Sequence, residues 1–246
     1  MNTTIETYIL NEIKRYRTLC FPLIDSENPH DVISIAKKVE QLGASAILVG
    51  GSSIIDQIEL SNIISQIKTS ITIPVILFPG NVTGVSPKAD AILFMSLLNS
   101  EKRYFITGAQ ALASIGVKKS KLEALPTGYL IIGEGTTAWF VGQAKGIPFH
   151  KPNLAIMYSL AEQYLGMRFL YLEAGSGANQ HISPEMVKSV RKYYEGVLIV
   201  GGGIKDSQIA KNLAEGGADI IVVGTMIEND NNWEKKFSEI IQLIRK

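Results

Sequence analysis

The chain has 246 residues, of which 46% are hydrophobic and 19% charged, and its formal net charge is +1. This near-neutral balance excludes the strongly basic composition of an electrostatic nucleic-acid binder. The single cysteine, Cys20, excludes an internal disulfide framework and a zinc site built on cysteines. A lone cysteine also fits a cytoplasmic protein.

Residues 1–17 predict an amphipathic helix, because Ile5, Tyr8, Ile9 and Ile13 recur at helical spacing. We expect this helix to cover one end of the fold. The segment lacks the pattern of a cleaved signal peptide, and no run approaches the ~18 apolar residues of a membrane span. We therefore expect one domain over residues 1–246.

Eight short apolar runs alternate with helical patterns along the chain. They occupy residues 19–24, 46–49, 75–78, 91–94, 129–132, 169–172, 197–200 and 220–223. Continuous apolar runs are typical of parallel strands that are buried on both faces. Eight strands with helical crossovers form either a doubly wound sheet or a closed TIM barrel, and the count of eight favours the barrel.

Capping signals predict where four helices begin, at Asn28-Pro29, Lys151-Pro152, Ser183-Pro184 and Asp206. One connection, PGNVTGVSPKAD at residues 79–90, has no helical periodicity. We therefore predict a modified (β/α)₈ TIM barrel in which an irregular or extended segment replaces the third helix.

Glycine-rich loops follow the last three predicted strands. Gly202, Gly203, Gly224 and Thr225 are candidate phosphate ligands, joined by Ser176 and Gly177. Glycine lets a phosphate oxygen approach main-chain N–H groups, and the loops at this part of a TIM barrel often bind phosphate. Each loop alone could be a plain tight turn, but three at consecutive strand ends indicate an anion site.

A carboxylate, Glu173, directly follows the sixth predicted strand. Its alternatives are a structural ion pair and a general base, since partial desolvation beside a phosphate would raise its pKa. Tyr171 lies two residues earlier and points to the same side of the strand. Its hydroxyl could orient a substrate oxygen, or its ring could simply pack inside the barrel.

Asp25 ends the first predicted strand, and Ser52 and Ser53 follow the second. Asp25 either caps the next helix or holds Mg²⁺, which prefers oxygen ligands. A hydroxyl from the neighbouring strand, from Ser52 or Ser53, could complete such a metal site.

Several motifs together resemble the geranylgeranylglyceryl phosphate synthase family, which includes the bacterial heptaprenylglyceryl phosphate synthases. The resemblance rests on residues 125–152 and on LVGGSS (48–53), FPG (78–80), YLEAGSGA (171–178), VGGGI (200–204) and VVGT (222–225). It spans residues 17–226, and we expect a bacterial-type member. YLEAGSGA is close to diagnostic, whereas the last two motifs occur in many phosphate-binding barrels.

The resemblance implies a TIM barrel without its third helix and a prenyltransferase reaction. In that reaction sn-glycerol 1-phosphate attacks a polyprenyl diphosphate, here geranylgeranyl diphosphate or alternatively a heptaprenyl donor. Glu173 would be the base and Tyr171 its helper, and Asp25 and Ser52 would hold Mg²⁺. The implied glycerol phosphate site consists of Tyr171, Leu172, Glu173, Ala174, Gly175, Ser176, Gly177, Gly202, Gly203, Gly224 and Thr225. The resemblance further implies a cytoplasmic homo-oligomer, dimeric or larger, with peripheral membrane contact for its lipid product.

This chain departs from many relatives near Asp25. Ser26 stands where they have a proline, and Leu23 stands where some have a lysine, so Lys205 and Arg103 become candidate cations for the diphosphate. Tyr104, Phe105 and Trp139 are candidates for closing the prenyl groove. The alternatives outside the family are a phosphosugar isomerase or lyase and a non-catalytic phosphate-binding protein.

Overall fold

The computed structural model of the protein describes residues 4–25, 31–51 and 56–245. The strands are β1 (Leu19–Asp25), β2 (Ile47–Gly51), β3 (Val75–Pro79), β4 (Ala91–Leu97), β5 (Glu123–Ile131), β6 (Phe169–Glu173), β7 (Val197–Gly201) and β8 (Ile220–Val223). The helices are α1 (Ile5–Tyr16), α2 (Val32–Gln41), α3 (Gln57–Lys68), α4 (Ala109–Ser120), α5 (Thr137–Gly142), α6 (Pro152–Tyr164), α7 (Pro184–Arg191), α8 (Ser207–Glu215), α9 (Thr225–Asn229) and α10 (Trp233–Ile244).

The eight strands close into a parallel barrel in sequence order, with β8 paired to β1. All eight predicted strands are present, so the barrel prediction is confirmed. β5 begins six residues earlier than the apolar run predicted, at Glu123, because it pairs with β4 along seven residues from Ala91↔Glu123 to Leu97↔Tyr129. This part of β5 contains a proline and polar residues, which an apolar-run criterion does not recognise.

The connection between β3 and β4 contains only one 3₁₀ turn, Val82–Gly84. The predicted replacement of the third barrel helix is therefore confirmed. Val82 and Val85 from this connection line an apolar cavity beside β3 and β4. The absent helix leaves room for a groove on this side of the barrel.

Helix α1 closes the N-terminal end of the barrel. Ile9 is buried in the cluster that fills the barrel interior, together with Leu19 and Phe21. The Glu123 carboxylate accepts hydrogen bonds from the first-turn N–H groups of Ile5 and Glu6, at 2.5 and 3.0 Å. A carboxylate at a helix N-terminus satisfies donors that have no partner within the helix.

Two of the predicted helix caps have the expected hydrogen bonds. Ser183 Oγ accepts from the Met186 N–H at 3.1 Å, and Asp206 Oδ1 accepts from the Ile209 N–H at 2.8 Å. Helix α6 follows Lys151 as expected, although this residue makes no side-chain cap. The predicted start at Asn28-Pro29 lies outside the described residues. No helix in the part of the chain that the structure describes has the length and apolarity needed to cross a bilayer.

A second buried glutamate, Glu162, lies in the outer wall of the barrel on α6. It is fully buried, and neither of its carboxylate oxygens has a hydrogen-bond partner among the described residues. Burial raises the pKa of Glu162 to about 7, and the nearby Tyr194 hydroxyl offsets part of the rise. Burial in the folded protein therefore favours the protonated form of Glu162.

We predict that Glu162 makes the protein less stable as the pH rises. Between the ordinary glutamate pKa of 4.5 and about 7, the unfolded chain ionises while the folded chain keeps the proton, so the free energy of unfolding falls. The fall amounts to about 3 kcal/mol and is complete above pH 7. Denaturant unfolding of Glu162→Gln from pH 4 to 8 should lack this decline, while Glu185→Gln, at an exposed position, should follow the wild type. Parallel curves for the wild type and Glu162→Gln would contradict the assignment.

Candidate active site

The C-terminal ends of the strands surround a cavity of about 440 Å³, here called the mouth cavity. Most of the residues predicted from the strand ends line it, namely Asp25, Tyr171, Glu173, Ser176, Gly177, Gly202, Gly203, Gly224 and Thr225. Active sites of TIM barrels lie at this end of the strands. The structure thus brings together in one cavity a set of residues that are up to 200 positions apart in the sequence.

Three loops form one wall of the mouth cavity, and we call this wall the phosphate cup: Ser176 and Gly177 after β6, Gly202 and Gly203 after β7, and Gly224 and Thr225 after β8. Thr225 Oγ1 lies 3.1 Å from Ser176 Oγ and accepts a hydrogen bond of 3.1 Å from the Gly177 N–H. These contacts join the first and last loops of the cup. A cup that is already assembled can bind an anion with little loss of conformational freedom.

Glu173 is 6% exposed and lies at the base of the mouth cavity. Its Oε1 accepts a hydrogen bond of 2.6 Å from the Gly175 N–H. Burial raises the pKa of Glu173, while hydrogen bonds from Gly175 and from the hydroxyls of Tyr171 and Tyr129 offset part of the rise. A carboxylate whose pKa lies above its usual value is a stronger base, and here it faces the cavity.

Gly202 supplies the close packing between the phosphate cup and Glu173. Its φ is +88°, and a Cβ added at this position would lie 2.5 Å from Glu173 Oε1 and 2.5 Å from the Gly175 nitrogen. Only glycine fits both the left-handed backbone and the space. The main chain of the cup can therefore touch the carboxylate directly.

Tyr171 is fully buried beside Glu173, and its ring stacks on Phe78 with the centroids 5.3 Å apart and an interplanar angle of 9°. Its hydroxyl lies against the backbone of β7 at Gly201. The ring therefore packs inside the barrel, which was one of the two alternatives for Tyr171. The hydroxyl reaches Glu173, and its contact with a substrate oxygen stays a prediction.

Tyr129 is a further residue of the site that sequence reasoning missed. It pairs with Tyr171 in the β5–β6 register, and the two rings meet edge to face at 5.2 Å. It lines the mouth cavity and also the apolar cavity beside β3 and β4. The strand register was the signal that could have revealed Tyr129, because that register places it beside Tyr171.

The apolar cavity beside β3 and β4, here called the side groove, has a volume of about 120 Å³. Phe78, Tyr129 and Ala138 line both the side groove and the mouth cavity, so the two spaces meet at these residues. Of the predicted groove-closing residues, Phe105 lines the side groove. The Tyr104 hydroxyl donates to Asn81 Oδ1 at 2.6 Å, and Trp139 packs against the cluster of Leu97 and Ile131.

Two members of the predicted glycerol phosphate site point away from the mouth cavity. Leu172 and Ala174 belong to the core layer between the strands and the helices. Their side chains therefore do not line the cavity, because residues along a strand alternate between its two faces. Gly175 contributes through its N–H group, which holds Glu173.

The predicted metal site can be compared with the structure at Asp25 only. Asp25 lines the mouth cavity, whereas Ser52 and Ser53 lie outside the described residues. Glu228, on α9, was not predicted and lines the same cavity. Burial raises the pKa of Glu228 and the negative charge of Asp25 raises it further, so the two carboxylates are close enough to repel.

Two lysines line the mouth cavity. Lys205 was predicted as a cation for the diphosphate, whereas Arg103 is not among the cavity-lining residues. Lys236, on α10, was not predicted, and its ammonium forms an ion pair of 2.5 Å with Asp230. No sequence motif marks Lys236, since only the packing of α10 brings it to the cavity.

This fold and this site define a TIM barrel of the phosphate-binding class, because the loops after the last three strands form the anion cup. The chain belongs to the PcrB family, whose model matches residues 11–244. This match confirms the family resemblance read from YLEAGSGA and the other motifs.

Named relatives match almost the whole chain. The chain is 58% identical to the geranylgeranylglyceryl phosphate synthase of Nitrosopumilus maritimus (strain SCM1), over 98% of this chain and 97% of the relative. It is also 58% identical to the synthase of the same name from Cenarchaeum symbiosum (strain A), over 94% of each. A crystal structure of (S)-3-O-geranylgeranylglyceryl phosphate synthase from Thermoplasma acidophilum, in complex with its substrate sn-glycerol-1-phosphate, superposes with a TM-score of 0.94 at 38% identity and 98% coverage of both chains.

Proposed function

We propose that this protein is a prenyltransferase that joins sn-glycerol 1-phosphate to geranylgeranyl diphosphate through an ether bond and releases diphosphate. The main support for the proposal is that two cavities of different chemistry, the polar mouth cavity and the apolar side groove, meet. A phosphate cup with a buried carboxylate meets an apolar groove at Phe78, Tyr129 and Ala138. One substrate is a small phosphate ester and the other a long hydrocarbon diphosphate, so an enzyme for both needs such a junction.

The phosphate cup fits the phosphate of glycerol phosphate. The hydroxyls of Ser176 and Thr225 can donate to an anion, and so can the Gly177 N–H once it exchanges Thr225 Oγ1 for a phosphate oxygen. Glu173 lies next to the cup, so a bound three-carbon substrate places its free primary hydroxyl near the carboxylate. The crystal structure of the relative from Thermoplasma acidophilum contains bound sn-glycerol-1-phosphate, which supports this assignment.

The proposed reaction transfers one proton to Glu173. The primary hydroxyl oxygen forms a bond to C1 of the prenyl chain, and the bond between C1 and the diphosphate oxygen breaks. The diphosphate leaves with that electron pair, and the hydroxyl proton moves to the Glu173 carboxylate. The Tyr171 and Tyr129 hydroxyls, which hydrogen-bond the carboxylate, hold it in place for this transfer.

Asp25 and Glu228 fit Mg²⁺, which proteins usually bind through one or two carboxylates together with substrate phosphates. A cation bound there would also offset the repulsion that Asp25 exerts on Glu228. When bound there, Mg²⁺ would neutralise charge on the diphosphate leaving group. Ser52 remains a predicted ligand.

We predict that Asp25→Asn lowers kcat by about 100-fold, because losing one carboxylate weakens cation binding beside the leaving group. Mn²⁺ affinity, measured by electron paramagnetic resonance on the protein without substrates, should fall as well. Glycerol phosphate affinity should stay within about twofold of the wild type, because Asp25 is outside the phosphate cup. Unchanged Mn²⁺ affinity would remove Asp25 from the metal site.

The proposed function is tested by incubating the protein with Mg²⁺, sn-glycerol 1-phosphate and a series of prenyl diphosphates from farnesyl to heptaprenyl. We expect an ether product and a preference for the geranylgeranyl donor, which is the donor that the names of the relatives indicate. Preference for the heptaprenyl donor would correct the chain length only. Absence of product with every donor would refute the function.

The cellular setting is part of the proposal. We place the reaction in the cytoplasm, supported by a free and buried Cys20. A homo-oligomer, dimeric or larger, also remains our prediction, and light scattering of the purified protein measures it.

A further inference from the structure

The main chain at Gly175, whose N–H group donates to Glu173, is packed between two neighbouring loops. On one side lies the loop after β7, where a Cβ added at Gly202 would lie 2.5 Å from the Gly175 nitrogen and 2.8 Å from its carbonyl oxygen. On the other side lies the loop after β5, where a Cβ added at Gly175 would lie 2.3 Å from Thr136 Cγ2 and 2.7 Å from Thr136 Oγ1. Atoms in van der Waals contact lie about 3.5–4.0 Å apart. The Thr136 side chain therefore occupies the space that a side chain at Gly175 would need, and it packs on the main chain there.

Thr136 is fixed by hydrogen bonds that do not involve Gly175. It is the N-cap of α5, and its Oγ1 accepts a hydrogen bond of 3.4 Å from the Trp139 N–H. The other end of α5 is tied to the loop after β4, since Ser100 Oγ donates to the Gly142 carbonyl at 2.7 Å. A movement of Thr136 away from Gly175 would therefore have to displace a helix that is held at both ends.

Thr136 lies between the two cavities without lining either of them. Helix α5, which it caps, contributes Ala138, Val141 and Gly142 to the side groove. Gly175, on which it packs, donates the hydrogen bond that orients Glu173. Any effect of the Thr136 side chain on the reaction is therefore transmitted through Gly175.

We propose that Thr136 is a positioning residue, because its methyl group holds the Gly175 peptide against the Glu173 carboxylate. The inference rests on the proposed function, in which Glu173 accepts the proton of the glycerol phosphate hydroxyl. Gly175 has a φ of +105° and no side chain, so its own conformation restrains it little. Packing from Thr136 and Gly202 supplies the restraint, and the hydrogen bond of 2.6 Å to Glu173 Oε1 depends on it.

Threonine at this position combines two parts that substitution can separate. Its hydroxyl caps α5, and its methyl group packs on Gly175. Thr136→Val keeps the branched shape and removes the cap, whereas Thr136→Ser keeps the cap and removes the methyl group. Because the inference assigns the effect on the reaction to the methyl group alone, the valine variant should lose stability and the serine variant should lose turnover.

The first measurement is kcat under saturation with glycerol phosphate and geranylgeranyl diphosphate. We expect Thr136→Ser to lower kcat by about tenfold, because a slightly displaced base is less well aligned with the attacking hydroxyl. Thr136→Val should keep kcat within about twofold of the wild type, although the loss of the cap should lower its melting temperature by about 3 °C. KM for the donor should be unchanged in both variants, since the α5 residues that line the side groove are retained.

The second measurement is the titration of the Glu173 carboxyl carbon by carbon-13 NMR in the protein without substrates, with Glu173→Gln to assign the signal. The Gly175 N–H lowers the pKa of Glu173, so a weaker hydrogen bond should move the titration to higher pH in Thr136→Ser but not in Thr136→Val. The titratable groups that face Glu173 are Tyr129 on β5 and Tyr171 on its own strand, while the loop after β7 faces it with glycine main chain. Burial holds the pKa of both phenols well above their ordinary value, so they stay protonated while Glu173 titrates.

Thr4 provides the matched control, because it is also an N-cap threonine, with its Oγ1 3.2 Å from the Thr7 nitrogen, and it caps α1 at the opposite end of the barrel. Thr4→Ser and Thr4→Val should leave kcat and the Glu173 titration unchanged. Wild-type kcat and titration in Thr136→Ser would overturn the inference. Equal losses of kcat in Thr136→Ser and Thr136→Val would also overturn it, because they would assign the effect to the cap. The titration needs no substrate, so it tests the inference separately from the donor assay that tests the proposed function.

Discussion

Replacing Glu173 with glutamine should abolish ether formation while leaving the fold intact. Glutamine has nearly the same shape and can keep the contact with the Gly175 N–H through its carbonyl oxygen, but it cannot accept the proton of the attacking hydroxyl. We expect kcat to fall by about 10³-fold, within the usual contribution of a general base. Turnover of the purified variant under substrate saturation measures this loss.

The pH dependence of wild-type kcat/KM should report the ionisation of the same carboxylate, Glu173. The base must be ionised to act, and burial raises the pKa of Glu173, so kcat/KM should increase with pH through a value above the ordinary range of a glutamate. Glu162→Gln is the matched control, because Glu162 is also a buried glutamate with a raised pKa but lies outside both cavities. Its activity should equal that of the wild type, and retained activity in Glu173→Gln would assign the proton to another group.

The second large effect is expected for Gly202→Ala. The added methyl group would lie 2.5 Å from Glu173 Oε1 and from the Gly175 nitrogen, so it displaces either the base or the phosphate cup. We expect kcat/KM for glycerol phosphate to fall by about 100-fold, because small displacements in an active site cost about this much. Initial rates at varied glycerol phosphate concentration measure the effect.

Gly166→Ala separates steric collision from backbone strain. Gly166 has a φ of +87°, almost equal to the +88° of Gly202, but a Cβ there would meet nothing within 4 Å. Both variants should lose about 1 kcal/mol of stability from the left-handed backbone. Gly202→Ala should lose further stability through the collision, and it alone should lose activity. Equal activity losses in the two variants would show that strain alone, rather than contact with Glu173, accounts for the effect.

The barrel could be predicted from sequence because its strands are buried on both faces. Such strands are continuous apolar runs, and β6 and β8 were found almost to the residue. β5 was found only at its C-terminal end, since Glu123 to Gly128 are specified by pairing with β4 rather than by their own composition. Local composition reports burial, whereas register depends on the neighbouring strand.

The same distinction applies to the site. Glu173 and the glycines of the phosphate cup could be predicted because strand ends in a barrel converge. Tyr129 could not, since its role follows from lying beside Tyr171 and between two cavities. Lys236 and Glu228 were missed because helices after the barrel carry them to the mouth cavity, and no spacing in the sequence marks that packing.

In the proposed reaction, the phosphate cup and Glu173 direct the hydroxyl of glycerol phosphate onto a prenyl chain held in the side groove. The direct test incubates the protein with geranylgeranyl diphosphate, Mg²⁺ and glycerol phosphate labelled with oxygen-18 in its free primary hydroxyl, and analyses the products by mass spectrometry. We predict that the label is retained in the ether and that the released diphosphate is unlabelled. An unlabelled lipid product, or no prenylated product at all, would contradict this reaction.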